Sequence, residues 1–133
     1  MNAVFLDTVG LVALWDAADQ WHAVAETAYA LIVVDRRSFV TTRFVLLECG
    51  NTAARRPYRN RVSALREKLD LRGELVVPTE DDWKAAWEAY DRGEAAQAGI
   101  VDHISFAVMR RLGITQAFTN DRHFQAAGFE TLF

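Results

Sequence analysis

The chain has 133 residues, half of them hydrophobic, and a formal net charge of −3; that suffices for one compact domain with a core, and no apolar run approaches the ~20 residues needed to span a bilayer. One cysteine, Cys49, rules out an internal disulfide, and with His22, His103 and His123 it has no zinc-finger spacing, which argues against a structural zinc site. No charged leader followed by an apolar run and a cleavage site opens the sequence, so the expectation is a cytoplasmic protein, one domain over residues 1–133, with no membrane partner.

Apolar runs suited to strands lie at 3–6, 38–41, 74–77, 115–119 and 130–133, with helical periodicity between them. Strands alternating with helices predict an α/β domain with a short, mostly parallel sheet. After Asp7 a first helix covers Val9 to Trp15, and Asp19 can cap a second from Gln20 to about Val34. Thr41 or Thr42 caps a third helix, which carries Glu48 and runs to Arg56, where Pro57 stops it. A basic helix spans about Tyr58 to Leu71 and ends at Gly73. Pro78 closes the strand before it, and Thr79 caps a helix whose Glu80, Asp81 and Asp82 suit the positive end of its dipole. The stretch Arg92 to Gly99, rich in Gly and Ala, fits a helix end, a loop or both. Asp102 falls near the first turn of a helix to about Leu112, stopped by Gly113, and a turn of helix from Asp121 to Ala127 follows the strand ending at Thr119.

Four carboxylates sit where hydrophobic segments end or begin: Asp7, Glu48, Asp102 and Asp121. In open parallel sheets ligands bind beyond the carboxyl ends of the strands. Asp7 and Asp121 occupy that edge, and Glu48 and Asp102 can lean into it from flanking helices. Burying four acids together is costly unless a cation shares the site. Oxygen ligands without histidine or thiol select a hard ion, Mg²⁺ or Mn²⁺, which can activate water and orient a phosphodiester for displacement. The alternative is that each acid is an independent cap or turn residue. Thr8, Asn51, Ser105 and Thr119 lie beside these acids or one helical turn away and are candidate supporting groups. His103 and His123 receive no role.

From Arg36 to Arg72 ten Lys or Arg face three acids, a local balance of +7 that leaves −10 for the rest. Arg55, Arg56, Arg59, Arg61 and Arg66 are assigned to consecutive helical turns, and Arg55, Arg56 and Arg59 are the first candidates to grip an anionic partner, a phosphate backbone or an acidic protein segment, since guanidinium suits both. A solvated helix face is the plainer reading. Cys49 reads as a small buried hydrophobe, and Trp83 and Trp87, which share a helical face, as core or dimer packing.

With these residues assembled, the chain resembles the PIN-domain family, and within it the toxin ribonucleases of VapBC-type toxin–antitoxin pairs. The stretches that carry the likeness are Val4 to Trp15, Phe39 to Asn51 and Val101 to Phe124. The resemblance implies a PIN-like three-layer sandwich with four or five strands, and a Mg²⁺-dependent endoribonuclease using metal-activated water. It also implies Asp7, Glu48 and Asp102 as the metal site completed by Asp121, Thr119 supporting the last acid, a homodimer, and a small antitoxin whose tail covers the site. Two departures stand out: Val9 occupies a place where the family often has Ser or Asn, and Ala95-Ala96-Gln97-Ala98 replaces an Asp-Lys-x-Trp stretch, with His103 following Asp102 where a small residue is usual. They motivate a second reading, a catalytically silent PIN-like module that binds RNA or protein.

Overall fold

Val4, Phe5 and Leu6 are all buried and form β1 (Val4–Leu6); a strand apolar on both faces belongs in a parallel sheet covered by helices. In the computed structural model, which describes residues 3–133, β1 lies between β2 (Phe39–Val40) and β3 (Gln116–Phe118), and β3 pairs outward with β4 (Glu130–Thr131). All pairings are parallel, in the order β2-β1-β3-β4, with Val4 opposite Phe39 and Phe5 opposite Ala117. Met1 and Asn2, which the sequence reading runs straight into the first strand, lie outside the described residues. β1 connects to β2 on one side and β3 to β4 on the other, so the chain reverses direction across the sheet between β1 and β3. That reversal opens a crevice at the strand ends.

The helices begin and end where local chemistry dictates. α1 (Thr8–Trp15) starts directly after β1, with the Asp7 carboxylate accepting from the Val9 N–H. Within α1, Gly10 is required: a Cβ there would lie 2.0 Å from the Phe118 carbonyl oxygen, so α1 packs on the β3 backbone with no side chain between. α2 (His22–Val34) starts later than the sequence suggests, because Asp19 caps a preceding turn through the Trp21 N–H at 2.8 Å. Thr42 caps α3 (Arg43–Ala53), and Gly73, left-handed at φ 65°, ends α4 (Arg59–Arg72). α5 (Glu80–Asp91) opens with a reciprocal Thr79–Asp82 capping box, and Asp82 also pairs with Arg111 at 2.9 Å, tying α5 to α7 (Ile100–Leu112). α8 (Arg122–Ala126) follows β3. No helix among the described residues is long and apolar enough to cross a membrane.

Two expectations are corrected, and one stretch the sequence leaves open is resolved. The run 74–77 makes a single parallel bridge, Thr41 to Leu75, instead of a strand, since its neighbour β2 is only two residues long and Pro78 has no N–H to extend a ladder. The third helix stops at Ala53, not Arg56, because Pro57 cannot donate to the Ala53 carbonyl; Arg55 and Arg56 therefore sit in the α3–α4 link, and the arginines do not fall on consecutive turns of helix. The stretch 92–99 is a left-handed turn: α6 (Glu94–Gln97) has Ala95, Ala96 and Gln97 at φ 54°, 56° and 60°.

The core gathers Phe5, Leu6 and Phe118 from the sheet with Leu11, Phe106 and Phe124 from the helices. Phe106 meets Phe124 edge to face at 4.9 Å, which seats α8 against α7. Cys49 is fully buried there, and burial pushes its thiol up to about 12, so it packs as a hydrophobe.

Candidate active site

The crevice between β1 and β3 receives one acid from each of four elements. Asp7 follows β1; Asp121 lies three residues past β3; Glu48 projects from the middle of α3; Asp102 projects from the first turn of α7. Together with Thr8, Val9, Asn51 and Thr52, these four line a single open cleft of about 360 Å³. Residues 114 positions apart thus share one surface. Asp7 and Asp121 each cap the helix that follows while lining the cleft, so they are not independent caps, and Asp102 is no cap at all, since Gly99 holds that position on α7.

Two threonines fix the carboxylates. Thr119 is wholly buried; its Oγ1 donates to Asp7 Oδ2 at 2.8 Å and accepts the Asp121 N–H at 3.0 Å, so one hydroxyl sets both strand-end acids. Thr8 Oγ1 donates to Glu48 Oε1 at 2.8 Å, bridging α1 to α3. The Thr8 hydroxyl therefore supports Glu48, while its backbone N–H bears on Asp7. Asn51 lines the cleft wall. Ser105 is a correction: it is buried with no hydrogen-bond partner for its hydroxyl and does not line the cleft, because its place on α7 turns inward to the core.

The electrostatics of the cleft favour a bound positive charge. Burial, and then the Asp102 carboxylate, push Asp7 up to about 8, against an ordinary value of 3.8. Asp102 rises to about 6 through burial, then through Asp121 and Glu48. Among the described residues no Lys or Arg lines the cleft. Carboxylates that raise one another's proton affinity in a desolvated pocket are a donor set short of a cation, and all-oxygen acids at strand and helix ends suit a divalent ion with retained waters. The residues present therefore fit a hard divalent metal.

His123, given no role from sequence, does not line the cleft itself but stands behind Asp121, with Nδ1 2.8 Å from Asp121 Oδ1. Asp102, Asp121 and His123 each offer a ligand atom, and all three atoms lie within 4.8 Å of one another. Val9, the departure noted in the sequence, lines the cleft, and so does Thr52, which was unforeseen. The available signal was spacing: Thr52 stands four residues beyond Glu48 and His123 two beyond Asp121, in the same turn. His103, by contrast, is buried away from the cleft, and burial holds its imidazole below the usual value.

Beyond the cleft wall the surface turns basic. Arg55, Arg56 and Arg59 are exposed at the α3–α4 link, and Arg59 donates to the Ala54 carbonyl at 3.2 Å. Beside them, a groove of about 520 Å³ between α3 and α4 is lined by Leu46, Leu47 and Val62 together with Arg43, Arg66 and Asp70; Asn51 borders both groove and cleft.

Comparison with known proteins agrees with this geometry. The family model described as PIN domain matches residues 4–130. The 23S rRNA-specific endonuclease VapC20 of Mycobacterium tuberculosis, from two strains, is 34% identical over 131 residues, covering 95% of both chains. The crystal structure of M. tuberculosis VapC20, described as a sarcin-ricin loop cleaving toxin, superposes with a TM-score of 0.78 at 32% identity over 95% of each chain. The chain belongs to the PIN domain family, on its VapC-like branch.

Proposed function

We propose that this chain is a Mg²⁺-dependent endoribonuclease, a single cytoplasmic nuclease domain that acts as the toxin of a toxin–antitoxin pair. The observation that carries the reading is the gathering of Asp7, Glu48, Asp102 and Asp121 around one cleft with no basic residue among them. A bound Mg²⁺ or Mn²⁺ would supply a water of lowered pKa and neutralise charge on the phosphate. Asp7, Glu48, Asp102 and Asp121 would hold the ion and its waters. Thr119 and Thr8 keep Asp7 and Glu48 from swinging out of register, which preserves the orientation on which in-line displacement depends. Arg55, Arg56 and Arg59 would hold the RNA backbone on the approach to the cleft. Water adds to phosphorus as the bond to the 3′-oxygen breaks, so one fragment keeps a 5′-phosphate and the other a 3′-hydroxyl.

The names of the relatives make the sarcin–ricin loop of 23S rRNA the first substrate to try. The partly apolar groove, with Arg43 and Arg66 outweighing Asp70, fits an amphipathic antitoxin segment, and its junction with the cleft at Asn51 lets such a segment reach the acids. A homodimer belongs to the same reading, with exposed Trp87 and Tyr90 on α5 and the apolar stripe of α2 as the first faces to probe.

The test is cleavage of a sarcin–ricin loop RNA, tRNA and mRNA with and without Mg²⁺, by wild type and Asp7→Asn. The expected result is metal-dependent cleavage that the variant lacks while keeping its fold. Undiminished metal-dependent cleavage by Asp7→Asn refutes the site. The second reading, a silent module, rests on Val9, whose 40% exposed side chain gives the cleft an apolar edge; it requires neither cleavage nor thermal stabilisation by Mg²⁺.

A further inference from the structure

His123 is the histidine that the fold carries to the acid cleft, and its placement changes the chemistry of the donor set. Its ring is three-quarters buried, in the same turn as Asp121. That turn is fixed twice: Asp121 Oδ1 accepts the His123 backbone N–H at 2.9 Å and lies 2.8 Å from the ring Nδ1. Across the cleft stands Asp102, and the three residues form the one group of His, Cys, Asp or Glu among the described residues whose ligand atoms all approach within 4.8 Å of one another. Asp7 and Glu48 are not in that group. The 2.8 Å between the Asp121 oxygen and the imidazole nitrogen is a hydrogen-bond distance, so the carboxylate also fixes the orientation of the ring. An acceptor oxygen and a ring nitrogen this close are joined either by a proton or by a cation that both ligate.

We propose that His123 is a further metal ligand, joining Asp102 and Asp121 on one side of an ion that Asp7 and Glu48 also hold. The proposal rests on the reading that the cleft takes a divalent ion. Its chemical consequence follows from the donor set. Imidazole adds little affinity for Mg²⁺, which prefers oxygen, and much more for first-row transition ions. The site therefore favours Mn²⁺ over Mg²⁺ by more than carboxylates alone would give, and the surplus resides in one side chain.

The experiment uses tag-free full-length protein loaded with Mn²⁺ in the absence of RNA. Electron spin-echo envelope modulation reads whether a ¹⁴N nucleus is bound, and titration calorimetry reads the affinities for Mn²⁺ and Mg²⁺. Wild type should show imidazole modulation; His123→Ala and the bulkier His123→Gln should lose it, with Mn²⁺ affinity falling at least tenfold and Mg²⁺ affinity less than threefold. Circular dichroism and thermal melts check that both variants fold, and Gln keeps the volume if Ala does not. Mn²⁺ bound by wild type without nitrogen modulation overturns the proposal while leaving the metal reading intact, as does unchanged Mn²⁺ affinity in a folded His123 variant. Wild type that binds neither ion overturns the metal reading itself, and this proposal with it.

Discussion

Stripping divalent ions from the protein should make it lose stability as the pH rises, and Asp7 should be the cause. Its carboxyl sits at about 8 when folded against an ordinary 3.8, so the folded state holds a proton across a range where the unfolded chain has released it. A raised acid contributes its full stabilisation below the unfolded value, and that contribution drains away as pH climbs through the folded value. The displacement corresponds, at about 1.4 kcal/mol per pH unit, to a ceiling of roughly 6 kcal/mol over the whole range. Below pH 6.5 other groups intrude: Asp102, raised to about 6, adds to the fall, while His103, held low by burial, opposes it. Between pH 6.5 and 8.5 Asp7 acts nearly alone and should account for roughly 2 kcal/mol. Urea unfolding in EDTA across that window measures it. Asp7→Asn, whose amide oxygen still accepts from Thr119, should flatten the slope to within about 0.5 kcal/mol. Saturating Mn²⁺ should return the lost stability, by about 2.7 kcal/mol at a hundred times Kd. Wild type that stays equally stable from pH 6.5 to 8.5 in EDTA, or Asp7→Asn that keeps the slope, refutes the claim that a buried, cation-seeking carboxylate lies at the head of β1.

Thr119→Val removes the hydroxyl that serves both Asp7 and Asp121 and should cost about 1–3 kcal/mol in urea unfolding; kcat for RNA cleavage should fall at least tenfold with little change in KM, and equal losses in both would deny it a positioning role. Gly10→Ala drives a methyl into the Phe118 carbonyl and should cost about 3 kcal/mol or more; wild-type stability in that variant would contradict the close packing of α1 on β3. Replacing Arg55, Arg56 and Arg59 together by Ala should lower the slope of log affinity for single-stranded RNA against log salt by about 2, at about 0.7 for each phosphate no longer neutralised. An unchanged slope would reassign these arginines to another partner.

The acids were legible in the sequence because each follows an abrupt change from apolar run to polar residue, and parallel-sheet geometry dictates where such residues collect. Thr119 was legible for the same reason, being at the end of its strand. The partners of the other hydroxyls were not: Thr8 reaches Glu48 across forty residues, and only the packing of α1 against α3 decides that. Ser105 failed because a spacing of three places it near the face of Asp102 without fixing whether that part of the helix turns to cleft or core. His123 was missed because its role depends on the geometry of a single turn, in which backbone capping brings ring and carboxylate together. The run 74–77 has strand-like composition, but the length of its neighbour, not its own residues, limits it to one bridge. The left-handed turn at Ala95–Gln97 carries almost no local signal, since alanine favours the right-handed helix and tertiary contacts must hold it in place.

The centre of the sheet is made from its earliest strand and one that arrives late: Phe5 pairs with Ala117, and Thr119 grips Asp7 over a separation of 112 residues. Such long-range closure is slow and depends on nearly the whole polypeptide being present. A nascent or partly denatured chain holds the same acids but scattered, harmless to any RNA nearby. Latency before completion is thus built into the order of the strands, and a cell making this enzyme meets its activity only after folding has finished.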